Sequence, residues 1–298
     1  MPSPSMSPTS GRRASTLVEL LVALPLTVLV AAAAAMLLVR VARSARAQSA
    51  ILATTRELRH VRAVLGADLA PLDGRDLRTV TDTLLEFRGL LGVLHVCDTP
   101  DSRTVTAAVP SASSDLWVVA LREGDPAVLW RRGRAVADPP TPVSTQLSGV
   151  PVALPGGACG VTDVPPARRW RLTVRDSVAP IAIGAPMSVH RDVRYRHYRS
   201  AGRWWLGRQT RDGAAWEAVQ PVAGPLLSLI DGGLHLEVRD ALGGELDIHA
   251  STPDSVRAQA ATLVAQARVA RRTSEGGATT DSGVVTVPLR ASSFRSHR

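Results

Sequence analysis

The chain has 298 residues, of which 45% are apolar and 3% aromatic, and it carries a formal net charge of +9. All 35 basic residues are arginine, and the absence of lysine excludes a phosphate loop of the Gly-x-x-x-x-Gly-Lys type. A high positive charge suits partners such as nucleic acid or anionic surfaces. The simpler interpretation is codon bias in a GC-rich genome together with a solvated basic surface.

The first long apolar stretch organises the chain. Residues 1–10 consist of Met, Pro, Ser and Thr without periodicity, which is typical of a segment removed during processing. The run from Leu20 to Val39 is apolar except for Thr27, and as a helix it spans about 30 Å, enough to cross a bilayer core. Glu19 immediately precedes this run, and a carboxylate near one end of such a helix indicates a function because it is energetically expensive there.

The sequence Ser-Thr-Leu-Val-Glu at 15–19, preceded by two arginines, resembles the N-terminus of type IV pilins and type II secretion pseudopilins. That family carries a short basic leader, a small residue, and then Phe-Thr-Leu-Ile/Val-Glu at the start of an apolar helix. The resemblance implies cleavage by prepilin peptidase between Ala14 and Ser15, N-methylation of Ser15, and Glu19 as the fifth mature residue. Ala14 replaces the usual glycine, and Ser15 replaces the usual phenylalanine.

The resemblance also implies how the helix assembles. The Glu19 carboxylate would pair with the α-amine at Ser15 of a neighbouring subunit, since two opposite charges in apolar surroundings compensate each other. The alternative is a glutamate that snorkels to the membrane interface. Pro25 removes one helical hydrogen bond and can kink the helix. Major pilins usually carry their proline deeper in the helix, so Pro25 argues against a major pilin.

Orientation follows from the same resemblance. Prepilin peptidase cuts on the cytoplasmic side, so we expect a single-pass inner-membrane (cytoplasmic-membrane) protein with a cytoplasmic N-terminus and a periplasmic or otherwise extracytoplasmic C-terminal domain. The positive-inside rule weakly favours the opposite orientation, because Arg40, Arg43 and Arg46 follow the span while two arginines precede it. We give the motif more weight than this charge bias.

Beyond the span, the pattern predicts an amphipathic helix over 40–70 that lies on a sheet, with an apolar stripe of Leu58, Val61, Leu65 and Leu69. The apolar period then changes to two, which predicts strands at 83–88, 91–97, 103–109, 116–122, 126–132, 169–175, 189–196, 203–206, 234–240 and 284–289. The related family favours a strand over 263–271, after a short helical turn. We predict loops at 138–142 and 274–283.

We therefore expect an α+β fold, in which a long N-terminal helix packs on an antiparallel β-sheet, as in pilins. The expected organisation is a leader (1–14), a transmembrane and assembly helix (15–39), an amphipathic helical half (40–70), a periplasmic β-rich domain (71–291) and a disordered tail (292–298).

Residues 189–211 form a predicted hairpin around the turn at 200–202, and this segment loosely resembles the later sheet of J-type minor pseudopilins. Arginines beside aromatic residues suit nucleic-acid backbones and base stacking. The candidates for such contacts are Arg194, Arg196, Arg203 and Trp204. We favour a solvated sheet face whose arginines cover a core, so a nucleic-acid partner is not expected.

Two cysteines, Cys97 and Cys159, are candidates for a disulfide, because an extracytoplasmic domain lies in an oxidising compartment. Two buried free thiols are the alternative. No metal and no cofactor are expected, since two distant cysteines and scattered histidines do not form a recognisable ligand set.

Together these features predict a minor pseudopilin or minor pilin without enzymatic activity. Its expected partners are prepilin peptidase, other pilins, the inner-membrane assembly platform and the lipid bilayer, and its expected destination is a type II secretion pseudopilus or a type IV pilus tip. Two alternatives stay open. One is a competence or adhesion pilin that binds DNA or a surface through 189–211, and the other is a membrane-anchored periplasmic enzyme.

Overall fold

The computed structural model describes residues 12–109, 120–131, 141–155, 159, 168–178, 180–272 and 278–290. Two α-helices and a short 3₁₀ helix accompany the strands: α1 (Arg12–Leu69), the 3₁₀ helix (Gly74–Asp76) and α2 (Asp254–Arg257). The strands are β1 (Leu77–Thr81), β2 (Leu84–Asp98), β3 (Thr104–Val109), β4 (Pro126–Arg131), β5 (Thr141–Gln146), β6 (Val152–Leu154), β7 (Arg168–Thr173), β8 (Pro186–Ser200), β9 (Arg203–Asp212), β10 (Ala215–Trp216), β11 (Gln220–Leu226), β12 (Leu234–Asp240), β13 (Glu245–Leu246), β14 (Ala260–Arg272) and β15 (Ala278–Pro288).

The chain divides into two compact units. The first comprises the chain up to Thr55 together with Arg271–Thr279, and its main element is the N-terminal part of α1. The second comprises Arg56–Ala270 and the chain from Thr280 onward, and it contains the β-sheets and the last turns of α1.

The strands form two sheets, and each strand pairing given for the described residues is antiparallel. The larger sheet has 11 strands with the central order β10-β9-β8-β2-β3-β7-β6, and the smaller has four in the order β13-β12-β14-β15. The long strands β2 and β8 pair along most of their length and form the middle of the larger sheet. A long N-terminal helix and antiparallel sheets confirm the α+β class.

The last turns of α1 lie on this sheet framework. Val61, Leu65 and Leu69 are at most 1% exposed and belong to a cluster with residues of both sheets, including Phe87, Tyr195, Leu236 and Leu263. Burying each such helical side chain stabilises the fold by about 1.5–3 kcal/mol. The helix stops at Leu69, two residues before Pro71, as expected from proline's effect on helices. The predicted apolar stripe is therefore confirmed, with Leu58 packing at its edge.

Polar contacts hold the same end of the helix. The Asp68 Oδ2 atom accepts hydrogen bonds from Tyr195 Oη at 2.8 Å and from Arg208 Nε at 2.9 Å. One helical carboxylate thus contacts the adjacent strands β8 and β9. Burial, followed by the nearby Asp68 charge, raises the pKa of Tyr195, so its hydroxyl stays protonated and remains a donor.

Most predicted strands are confirmed, including the hairpin of β8 and β9. Its turn contains Ala201 and Gly202, both with positive φ, as in the turns that match the twist of a hairpin. The strand predicted over 263–271 after a short helical turn is also confirmed, since α2 is followed directly by β14.

Several boundaries were wrong. The two strands predicted at 83–88 and 91–97 are one strand, β2, whose register shifts between Leu90 and Gly92. Pro142 lies in β5 rather than in a loop, which is tolerated because β5 is an edge strand that pairs with β4 alone. Residues 278–283 belong to β15, and residues 120–122 form no strand. The predicted positions at 1–11, 116–119, 132, 138–140, 274–277 and 291–298 lie outside the described residues.

A capping box connects α1 to the sheet. The Asp73 carboxylate accepts a hydrogen bond from the backbone N–H of Arg75, and the Asp76 carboxylate accepts one from the backbone N–H of Asp73. Burial raises the pKa of Asp76 to about 6, against the lowering effect of that backbone hydrogen bond.

This raised pKa predicts a pH-dependent stability. Between pH 3.8, the ordinary pKa of the group, and about 6, the folded state holds the Asp76 proton more tightly than the unfolded chain does. The free energy of unfolding should therefore fall as pH rises through that window, by up to about 3 kcal/mol from this group. Asp76→Asn keeps a carbonyl acceptor and should remove the decline. Denaturant unfolding of both proteins from pH 4 to 7, followed by tryptophan fluorescence, measures it, and equal pH slopes would contradict the assignment.

Candidate assembly helix and basic hairpin

The N-terminal part of α1 presents an apolar surface. From Leu20 to Val41, each large apolar side chain is between 49% and 70% exposed. Among the described residues, α1 is the helix that is long and apolar enough to cross a membrane. Ala14 and Ser15, at the predicted cleavage position, lie within α1, which begins at Arg12.

Glu19 is the charged residue nearest this apolar surface on its N-terminal side. Its side chain is exposed and forms no hydrogen bond or ion pair with any residue that the structure describes. From Leu20 to Val39 the sequence contains no other ionisable group. If the helix enters a bilayer, this carboxylate, which has no partner among the described residues, therefore needs a cation beside it or must reach the interface.

The other polar features of the apolar run are satisfied or small. Pro25 lies inside α1 and removes one backbone donor. The hydroxyl of Thr27 lies 3.0 Å from the carbonyl oxygen of Ala23 and 2.8 Å from that of Leu24, and donates to this pair. Thr27 thus makes its hydrogen bond within the helix, which leaves Glu19 as the unpaired polar side chain.

The hairpin candidates do not form one basic surface. Arg194 donates to Glu86, with its Nε 2.6 Å from Oε1, and its guanidinium lies 4.0 Å from the ring centre of Trp216. Trp204 lies beside His197, with ring centres 4.9 Å apart, and packs against the core that contains α1. In the strand register, Arg194 and Trp204 point to opposite faces. The structure therefore places Trp204, the best candidate for base stacking, on the opposite face of the hairpin from Arg194.

Most of the neighbouring arginines are also paired within the chain. Arg191 pairs with Asp125, Arg208 with Asp68, and Arg211 with Asp192. Arg196 has no acidic partner among the described residues, and its guanidinium lies 5.9 Å from the Tyr198 ring centre. Arg203 is exposed beside the turn. Internal pairing thus reduces the positive charge that this hairpin can offer to phosphates.

Arg191 corrects the expectation of a solvated arginine face, because it is 2% exposed. Its Nε and Nη2 atoms lie 2.8 Å and 2.7 Å from the two carboxylate oxygens of Asp125, and Nη2 also donates to the Ala120 carbonyl at 3.0 Å. This bidentate pair fastens the 120–125 segment to β8. Alternation along β8 places Arg191 on the buried face with Val189 and Val193, so the pattern itself contained the signal.

Cys97 and Cys159 form a disulfide with an Sγ–Sγ distance of 1.99 Å and a Cα–Cα distance of 4.8 Å. Both are nearly buried and pack with Ala108 of β3. The bond joins the end of β2 to a position 62 residues later in the sequence. Within the described part of the chain, no group of three or more His, Cys, Asp and Glu side chains could hold a metal ion.

Comparisons with known proteins give no family for this chain. No protein-family model matches it, and neither does any curated protein or solved structure.

The buried pair predicts a contrast between two carboxylates. Asp125→Ala leaves the Arg191 charge buried without a partner and should lower the free energy of unfolding by about 3–5 kcal/mol. Asp192→Ala removes the partner of the half-exposed Arg211 and should cost below about 1 kcal/mol. Parallel urea titrations measure both, and similar losses for the two variants would contradict the importance of the buried pair.

The disulfide makes a second prediction. Denatured chain should show no reactive thiol before reduction and two after it, in a titration with Ellman's reagent. Replacing both cysteines with alanine should lower the free energy of unfolding by about 2–4 kcal/mol, because the reduced chain gains conformational freedom when unfolded. Free thiols in freshly purified, unreduced protein would show that the bond does not form.

Proposed function

We propose that this chain is a minor pilin or minor pseudopilin. In this proposal prepilin peptidase removes residues 1–14, Ser15 becomes the methylated N-terminus, and the helix that follows holds the protein in the inner membrane. Other pilins and the inner-membrane platform then incorporate it into a type II secretion pseudopilus or a type IV pilus tip. The chain is the substrate of an enzyme and does not itself act as one.

One observation carries the proposal. The exposed apolar run of α1 follows a carboxylate, Glu19, that has no partner among the described residues, and the same helix ends as an amphipathic stripe packed on antiparallel sheets. A plain membrane anchor has no need of a carboxylate at its apolar boundary. A helix that must choose one register against identical or related helices does, since a charge in apolar surroundings is satisfied only where a cation meets it.

The proposed cut supplies that cation. Hydrolysis between Ala14 and Ser15 creates an α-amine four residues before Glu19, on the same helix end. The amine of one subunit meets the carboxylate of its neighbour when the two helices are offset by about four residues, or about 6 Å, along their axes. Pairing them fixes how far one helix slides along the next.

Nucleic-acid binding is the weaker candidate. The internal ion pairs of Arg191, Arg194, Arg208 and Arg211 and the opposite orientation of Trp204 do not support it. We therefore do not advance it as a function.

The cleavage step is tested first. The chain purified from membranes of a strain with prepilin peptidase should yield an N-terminal sequence beginning at Ser15, with the mass of one methyl group added. In a strain without the peptidase, the leader should remain. An intact leader in both strains would rule out both pilin interpretations and favour an ordinary membrane anchor.

The assembly role is tested by Glu19→Ala. Cleavage should proceed normally, while the amount of the protein in sheared filaments should fall by about tenfold or more, because the neighbouring amine loses its partner. Thr27→Ala is the matched control, since it removes the other polar side chain of the span, whose hydrogen bond is internal. Quantitative immunoblots of membrane and filament fractions measure both variants. Normal incorporation of the Glu19 variant would refute the role.

A further inference from the structure

A short basic segment follows the apolar surface of α1. Arg40, Arg43 and Arg46 are exposed, and none forms an ion pair with a residue that the structure describes. The sequence contains no Asp or Glu between Glu19 and Glu57, so this part of the helix has no acidic neighbour in the chain at helical spacing. Among the described residues, these three permanent charges therefore have no acidic partner.

Helical geometry places these arginines together. Three-residue steps advance the side chains by about 300° each, so the three occupy about a third of the helix circumference. They also extend over about 9 Å along the axis. The rest of the circumference carries small or apolar residues, namely Val41, Ala42, Ser44 and Ala45. The segment thus has one basic side.

Membrane dimensions give this basic side a specific environment. If Leu20–Val39 fills the roughly 30 Å hydrocarbon core, Arg40 lies at its boundary, and the other two arginines lie within or just beyond the headgroup layer. Phosphate oxygens occupy that layer, and a guanidinium group binds phosphate through paired N–H donors. The depth of these arginines in the membrane, their lack of an acidic partner among the described residues and the chemistry of guanidinium groups all favour phosphate as their ligand.

We propose that Arg40, Arg43 and Arg46 bind the phosphates of anionic phospholipids where α1 leaves the membrane. This inference rests on the membrane-spanning part of the proposed function, but not on cleavage or filament assembly. It also gives a role to arginines that oppose the usual charge bias across the span. Bound lipid neutralises them on that side, so the orientation is no longer opposed by their full charge.

The chain provides a matched control. Arg56, Arg59 and Arg62 have the same three-residue spacing, are also exposed and have no acidic partner among the described residues, but lie later in the helix. Binding to phosphates in the headgroup layer requires the arginines at 40, 43 and 46. It does not require those at 56, 59 and 62. General attraction of a basic protein to anionic lipid would involve both.

The experiment uses the full chain in mild detergent with equal amounts of phosphatidylglycerol and phosphatidylcholine, and counts the retained lipids by native mass spectrometry. We expect phosphatidylglycerol to be enriched about fivefold or more, since each basic residue near an anionic surface changes partitioning by about that factor. The triple variant Arg40→Gln, Arg43→Gln, Arg46→Gln should retain both lipids equally. The triple glutamine variant of the control positions should keep the enrichment, and raised salt should weaken it in the parent protein.

Two outcomes would overturn the inference: no enrichment in the parent protein, or equal enrichment in the first triple variant. Carbonate washing of native membranes separates this failure from that of the proposed function. A chain that resists washing yet shows no lipid preference refutes the lipid site alone. A chain released by washing refutes the membrane span and the lipid site together.

Discussion

The burial of Val61, Leu65 and Leu69 is the interaction on which the rest of the second unit depends. These side chains lie in one cluster with residues of both sheets, so the helix end fills a space that neither sheet fills alone. The sheets contribute mostly Leu, Val and Ala, since aromatic residues make up 3% of the chain. Small side chains fill volume less effectively than aromatic ones. The helical stripe adds three more branched side chains to this shared cluster and so helps to fill it.

Many of the charged side chains near the core also contribute to packing and pairing within the chain. The arginines are numerous, yet those on β8 and β9 near the core are paired with specific carboxylates: Arg191 with Asp125, Arg194 with Glu86 and Arg208 with Asp68. A guanidinium group can occupy such half-buried positions because its donors match carboxylate oxygens in pairs and its stem covers apolar surface. The formal charge of +9 therefore overstates what the sheet offers to a partner. Much of it is used in holding strands, loops and helix together.

Local patterns predicted the helix stripe, the hairpin and most strands, because each depends on spacing within a few residues. These patterns failed where the alternation of buried and exposed residues changes within one strand. In β2 the register shift near Gly92 moves the buried side from Leu85 and Phe87 to Leu94 and Val96, so one strand has two opposite alternations. The start of β15 has a loop-like composition, so the local pattern did not predict a strand there.

Apart from the disulfide between Cys97 and Cys159, long-range pairs were beyond such reasoning. The Arg191–Asp125 pair joins residues 66 apart, and the Tyr195–Asp68 hydrogen bond joins residues 127 apart, without a local signal for either partner. Burial of Arg191 could be inferred from alternation along β8, but its partner could not. At the N-terminus, by contrast, local sequence is more informative than long-range contacts. The candidate site there is a linear motif, so the sequence contains nearly all of its information, and the fold adds the exposure of the surrounding helix.

The bonds of Asp68 have a mechanical consequence. The aspartate contacts β8 and β9 just before α1 ends, and the buried stripe of Val61, Leu65 and Leu69 lies along the same stretch of helix. A pull along the last turns of α1 would load the Asp68 hydrogen bonds and the buried stripe together, because both lie on the same stretch of helix. Contacts loaded together share the force, whereas contacts peeled in sequence fail one by one. The helix end is thus joined to β8, β9 and the core by several contacts at once, so the loss of one leaves the others in place.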